Sequence, residues 1–270
     1  MSEVFGSDAY SPKEIAARIE TVGIAKARMA LLPMLMLGML AGAFIGLGAL
    51  FFVIVRSDSS LSFAVSQVLS GLVFCLGLLL VVIAGAELFT GNNLIAMAWA
   101  DGQVSTAEVL RNWFWVCLAN FVGAFGLALL VAWSGHVQLH GGQIGQTVMR
   151  IALAKQNLST EQALVRGVLC NVLVCLAVWM AMGGRSVMDK AIAIVFPITA
   201  FVAAGFEHSI ANMYFFSLAL ILQWADPVWG NAITISGMLG NLVPVILGNL
   251  LGGSVLVGLV YFVIYRRPAQ

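Results

Sequence analysis

The chain has 270 residues, of which 61% are hydrophobic and 9% charged, with a formal net charge of +1 and a mean hydropathy of +1.00. A soluble domain carries roughly 25% charged residues, so this chain cannot cover a water-facing surface and reads as an all-α polytopic membrane protein folded as one bundle. The near-neutral charge argues against nucleic acid as a partner.

Residues 1–28 are polar and have no secretory h-region. Ser11-Pro12-Lys13-Glu14 has the pattern of a helix start, with Ser11 as cap, Pro12 in the first helical position and Glu14 closing a capping box. Ile15, Ile19 and Val22 then share a face, which predicts an N-terminal cytoplasmic amphipathic helix lying at the membrane surface. A transmembrane domain over 29–265 follows, and 266–270 form a tail.

A membrane span needs about 20 apolar residues. Six are predicted, over 29–55, 66–86, 112–133, 161–182, 191–223 and 241–265. Two of them carry matching polar strings, Gly85-Ala86-Glu87-Leu88-Phe89-Thr90-Gly91-Asn92 in the second and Gly205-Phe206-Glu207-His208-Ser209-Ile210-Ala211-Asn212 in the fifth. Both read G-x-E-x-x-x-x-N. Lipid tolerates neither a bare carboxylate nor irregular backbone, so these segments must interrupt their spans and face protein or a water-filled path. Matching interrupted spans in two halves point to a permeation site.

Three spans per half is an odd number, so the second half enters the membrane from the opposite side. The halves, roughly 29–133 and 161–265, are predicted to form an aquaporin-like inverted repeat. Asn120-Phe121-Val122-Gly123 and Asn249-Leu250-Leu251-Gly252 extend the match. Glycines such as Gly38, Gly42, Gly123, Gly126, Gly248 and Gly252 let helices approach closely. With both termini inside, the inner segments hold Lys13, Arg18, Lys26, Arg28, Arg111, Arg185, Lys190, Arg266 and Arg267, against Arg56, Arg150, Lys155 and Arg166 outside. That bias favours cytoplasmic termini.

His208 is the one histidine inside a span; His136 and His140 lie in a loop. A lone buried histidine is usually a core residue, but this one follows an intramembrane glutamate in a repeated motif. Its unperturbed pKa of about 6.5 lets small shifts change its charge. Glu87 and Glu207 are read as structural. Each is expected to accept freed backbone N–H groups or to pair with a neighbour. Cys75, Cys117, Cys170 and Cys175 lie in apolar runs without metal spacing and are read as core residues. One span histidine and scattered cysteines do not make a zinc or haem site, so no metal, cofactor or enzyme activity is expected. None of the six prolines follows an asparagine, which removes the NPA motif of an aquaporin-like solute facilitator. An ammonium channel would need a second pore histidine.

The strings AELFTGNNL (Ala86 to Leu94), GRSVMDK (Gly184 to Lys190), GFEHSIANM (Gly205 to Met213) and GNLLGG (Gly248 to Gly253) resemble the formate–nitrite transporter family, and within it the formate channels. The resemblance covers nearly the whole chain. It implies a homopentamer in a bacterial cytoplasmic (inner) membrane, with one pore per protomer. The permeants it implies are small weak-acid anions, formate first and nitrite or hydrosulfide as alternatives. By the same resemblance, Phe74 and Phe201 form an outer constriction, and Leu78 with Leu88 and Phe89 an inner one. Thr90 faces His208, Asn171 and Asn212 line the path, and Lys155 sits in the outer vestibule. The loop Trp224 to Gly240 is short beside those of formate channels.

Desolvating a bare anion costs several kcal/mol, whereas protonating a carboxylate of pKa roughly 4 at pH 7 costs about 4 kcal/mol. The expected mechanism is therefore a proton lent at His208, with passage of the neutral acid.

Overall fold

The computed structural model describes residues 9–266 and is helical nearly throughout. Arg267 and most of the 266–270 tail lie outside the described residues. Among the described residues, five helices are long and apolar enough to cross a membrane: Leu31–Arg56, Phe63–Gly85, Thr106–Trp133, Thr160–Gly183 and Ile235–Tyr265.

In chain order the elements form two matching series. The first runs α1 (Pro12–Ala27), α2 (Leu31–Arg56), α3 (Phe63–Leu79), α4 (Ala96–Ala100) and α5 (Thr106–Trp133). A π-helical stretch, Leu80–Gly85, prolongs α3, and a 3-10 turn, Gly91–Ile95, leads into α4. The second series runs α6 (Gln143–Gln156), α7 (Thr160–Gly183), α8 (Val187–Ala203), α9 (Ser209–Ala225), α10 (Ile235–Leu250) and α11 (Val260–Tyr265), the last two joined by the π-helical Leu251–Leu259. α9 is buried almost all round, as an apolar helix in the middle of a bundle must be.

α1 begins as the sequence predicts, with the reciprocal Ser11–Glu14 capping box and Pro12 at its first position. Its apolar face, however, packs on protein. Ile15, Ala16 and Ile19 join Leu94, Met97, Cys175, Trp179 and Val257 in one cluster. Arg266 Nε donates to the buried Glu20 carboxylate at 2.6 Å, tying α1 to the end of α11. α6 is a helix that the sequence reading leaves inside a loop. The glycines at Gly141 and Gly142, both in left-handed conformation, turn the chain into it.

The GRSVMDK string is a structural connector. Ser186 and Asp189 form a capping box that starts α8, Gly184 bridges to Ala9, and Arg185 lies 4.1 Å from the centre of the Tyr10 ring. Among the cysteines, Cys75, Cys170 and Cys175 are buried and all four are free thiols.

Close backbone approach joins the long helices. α2 packs on α5, and α7 on α10. A Cβ on Gly123 would sit 1.9 Å from the Met39 carbonyl oxygen, and one on Gly252 would sit 2.2 Å from that of Val168. These are backbone atoms, so only separation of the helices could relieve the contact. Gly126, three positions on, has nothing within 4 Å. Gly123→Ala should therefore destabilise the protein by about 1–3 kcal/mol, seen as a lower thermal midpoint in mild detergent, while Gly126→Ala should leave the midpoint in place.

Candidate functional site

The helix preceding each of the two polar strings ends at a glycine, by the same device. Gly85 (φ 88°) and Gly205 (φ 71°) take the left-handed conformation. The N–H of the next residue reaches back five positions, Ala86 to Val81 O at 3.0 Å and Phe206 to Phe201 O at 3.1 Å. This is the glycine closure that satisfies a helix's last carbonyls. The chain then runs without helical bonds past a glutamate.

The backbone groups freed at each break are met by a neighbouring long helix. The Glu87 N–H donates to Leu37 O (3.1 Å), and the Glu207 N–H to Arg166 O (3.3 Å). Asn120 donates Nδ2 to Glu87 O (2.9 Å) and Gly38 O (2.8 Å), and its Oδ1 accepts the Phe89 N–H (2.9 Å). Asn249 repeats this: Nδ2 donates to Glu207 O (3.1 Å) and Gly167 O (2.8 Å), and Oδ1 accepts the Ser209 N–H (3.0 Å).

The glutamate side chains sit in twin clusters. Lys26 Nζ donates to Glu87 Oε1 at 2.8 Å, and Asn92 Nδ2 to Glu87 Oε2 at 2.7 Å. Asn92 Nδ2 also reaches Asn112 Oδ1 at 3.0 Å, and Asn112 Nδ2 returns to Lys26 O at 3.0 Å. In the second cluster Lys155 Nζ donates to Glu207 Oε1 at 2.8 Å, and Asn212 Nδ2 to Glu207 Oε2 at 2.6 Å. Asn212 Nδ2 reaches Asn241 Oδ1 at 2.8 Å, and Asn241 Nδ2 returns to Lys155 O at 3.0 Å. The carboxylates thus take lysine and asparagine side chains, not the freed backbone N–H groups. Each lysine is the penultimate residue of its helix, Lys26 in α1 and Lys155 in α6.

His208 caps α9. Its Nδ1 accepts the Ala211 N–H at 3.2 Å, and its Nε2 lies 3.0 Å from Thr90 Oγ1. An Nδ1 that accepts carries no proton, so the neutral ring holds its proton on Nε2 and donates to Thr90. Thr90 and His208, one from each break, are both buried.

Two cavities approach this pair from opposite ends. One, of about 440 Å³, is bounded by α1 and the first break, with Ile19, Lys26, Leu78, Glu87 and Leu88 among its walls. The other, of about 90 Å³, is bounded by α6 and the second break, with Lys155, Phe74, Phe201, Glu207 and His208 among its walls. Between them is a void of about 10 Å³ that touches Leu78 and Leu88 on one side and Phe74, Phe201 and His208 on the other. The Phe74 and Phe201 rings meet edge to face with centroids 5.8 Å apart.

Three residues stand elsewhere than the resemblance implies. Phe89 is apart from Leu78 and Leu88, because its side chain turns to a groove between α5 and α10. Asn171 is fully buried and lines none of the cavities. Its Nδ2 lies 3.2 Å from Thr90 O, 2.7 Å from Asn249 O and 2.7 Å from Asn93 Oδ1, tying the first break to α10. Asn212, also fully buried, is held by Glu207 and Asn241. Sequence reasoning missed Lys26 as the partner of Glu87, and missed Asn112 and Asn241. One signal was available: each of these asparagines stands eight positions before its partner in the Asn120/Asn249 match.

A helical bundle with long apolar helices, cavities entering from two ends and ion pairs buried at two helix breaks defines a membrane transport protein. The profile of the family described as Formate/nitrite transporter matches residues 13–263. The formate channel FocA of Escherichia coli (strain K12) is 37% identical over 273 residues, covering 96% of each chain. The formate channel FocB of the same organism is 36% identical over 94% of this chain and 93% of its own. Among solved structures, an FNT family ion channel superposes with a TM-score of 0.83 at 32% identity, covering 93% of this chain and 98% of that one. A pentameric formate channel with formate bound gives 0.81 at 37% identity, covering 87% and 98%. The chain belongs to the formate/nitrite transporter family, and it is a membrane transport protein, not an enzyme.

Removing one partner of a buried ion pair strands the other charge and costs about 3–5 kcal/mol. Lys155→Met should lower stability by that order, since Glu207 is only 4% exposed. The double variant Lys155→Met/Glu207→Gln should recover much of the loss. Denaturant midpoints in detergent, read as a double-mutant cycle, measure the coupling.

Proposed function

We propose that the protein is a channel for small monovalent weak-acid anions, with formate as its substrate, and that each protomer of a homopentamer carries its own path. One observation carries this reading: two cavities are separated only by a leucine layer and a phenylalanine layer, with His208 beside the void between them. Similarity to formate channels, one of them pentameric with formate bound, supports the substrate and the assembly.

In this reading six spans cross a bacterial cytoplasmic (inner) membrane. The second is broken after Gly85 and the fifth after Ala204. The halves form an inverted repeat that begins earlier than the spans do, with α1 and α6 as counterparts. The charge bias puts both termini in the cytoplasm, so the α1 cavity opens inward and the α6 cavity outward. Phe74 and Phe201 then form the outer constriction, and Leu78 with Leu88 the inner one. Lys155 and Lys26 attract an anion to the two mouths. Because each is already paired with a glutamate, they do not trap it.

An anion leaving the outer cavity meets His208. A proton from the solvent of the outer cavity adds to Nδ1 and makes the ring cationic, and this breaks the cap on the Ala211 N–H. When the carboxylate takes that proton, the new O–H bond forms as the N–H bond breaks. The ring returns to its neutral capping tautomer, and the neutral acid crosses the apolar layers and ionises beyond them. Proton donation and helix capping are thus exclusive states of one ring.

His208→Asn keeps a good N-cap for α9, so the variant should assemble normally. In proteoliposomes, wild-type formate flux should turn over across the range where a histidine titrates, and the variant should lose that turnover. Superimposable pH profiles for formate, nitrite and hydrosulfide would reduce His208 to a packing residue.

Phe201→Ala should relax size selection, raising flux of acetate and lactate relative to formate. Unchanged ratios would put the phenylalanine layer in the core instead of the path.

A further inference from the structure

A protonated His208 needs something to steady its charge, and its surroundings offer little. The void beside the ring is walled by apolar side chains from α2, α3, the first break, α7 and α8. The titratable groups nearby are committed to other partners. Glu207, the preceding residue, takes Lys155 and Asn212, and Lys155 faces the same outer cavity, where it opposes a second cation. Glu87 is bound to Lys26 and Asn92 behind the leucine layer. On α7, Cys175 Sγ donates to the Thr90 carbonyl at 3.4 Å, and Cys170 is a buried free thiol. Thr90 itself brings only a neutral hydroxyl to Nε2.

One contact remains. The Phe201 ring is stacked on the imidazole, with centroids 5.9 Å apart and planes 24° from parallel. An aromatic face carries the negative part of the ring quadrupole, and it attracts a cation within about 6 Å of its centroid, the more so away from water. The charge of an imidazolium is shared over both nitrogens, so a ring lying nearly parallel to it meets the whole cation. Two features hold Phe201 in this attitude. The Phe74 ring meets it at 85° with centroids 5.8 Å apart, and the Phe201 carbonyl accepts the Phe206 N–H that closes α8. Against the neutral capping ring the same stacking is only packing, so it favours the cationic state of His208 over the neutral one.

We propose that Phe201 has an electrostatic role besides its steric one: its face steadies the imidazolium of His208 and so sets the pH at which permeation turns over. This role rests on the proton step proposed above, and Phe201 serves in it as a positioning residue, acting through His208 and not on the permeant.

The test replaces Phe201, in the full-length chain, by 4-fluoro-, 3,4-difluoro- and 3,4,5-trifluorophenylalanine. The series weakens the quadrupole step by step at nearly constant volume. Exchange of isotopically labelled formate in proteoliposomes is followed from about pH 5 to 8, with the same pH on both sides. Losing the attraction disfavours the cation, so the midpoint of the turnover should move to lower pH with each fluorine, by about 0.5–1.5 pH units across the series. The same residues placed at Phe74, which pairs with Phe201 and not with the imidazole, should leave the midpoint where it is, whatever they do to the absolute rate. A midpoint that stays fixed along the Phe201 series, while His208→Asn still abolishes the turnover, would overturn the role of Phe201 alone. Equal shifts from fluorination at Phe74 would overturn it too, because the fluorines would then act through the general polarity of the constriction. A wild-type profile without turnover, or a turnover that His208→Asn retains, would remove the proton step itself and this role with it.

Discussion

A carboxylate in hydrocarbon must have partners, and so must every backbone group released where a helix breaks. This chain meets both demands twice, at Glu87 and at Glu207, and much of the bundle is arranged around the two solutions. The long helices α5 and α10 contribute Asn112, Asn120, Asn241 and Asn249, which bind the breaks. α2 and α7 supply the carbonyls of Leu37 and Arg166. α1 and α6 end on the lysines that neutralise the two carboxylates. An element that looks peripheral by composition, the polar N-terminal helix, is thereby bound into the interior.

The twin clusters also account for how two glutamates can be buried in the bundle. Each glutamate bonds to a lysine and an asparagine, so each cluster is close to neutral. The clusters differ in two contacts, one of them Asn241 Nδ2 to Glu207 Oε2 at 3.4 Å, which Asn112 does not repeat toward Glu87. Lys26 Nζ reaches Asn92 Oδ1 at 2.9 Å as well as Glu87, whereas Asn212 Oδ1 has no protein partner among the described residues. The Lys155 side is the less saturated of the two, and His208 stands on that side.

Asn171 connects the first break to the second through Asn249. Its amide joins Thr90 O to Asn249 O, and Asn249 in turn holds the Ser209 N–H beside His208. The 3.0 Å contact of Thr90 with His208 thus sits beside a chain of buried amides that joins the two breaks. Gly253 leaves room for this arrangement, because a Cβ there would fall 2.4 Å from Asn171 Nδ2.

The sequence by itself determined the membrane class, the two polar strings, the capping of α1 and the match between Asn120 and Asn249. Each of these is local: hydropathy over about 20 residues, a glycine followed by a glutamate, a serine three positions before a glutamate, a repeated short string. Tertiary structure decided everything that depends on which elements meet. Lys26 lies 61 positions from Glu87, and no spacing rule connects them. α6 is amphipathic without being long or strongly apolar, so it reads as loop until its lysine is seen on Glu207. Phe89 and Leu88 are adjacent and equally apolar, yet one faces the void and the other the lateral groove. On irregular backbone no helical or strand period fixes where a side chain points, so only the packed surroundings of the break could decide it.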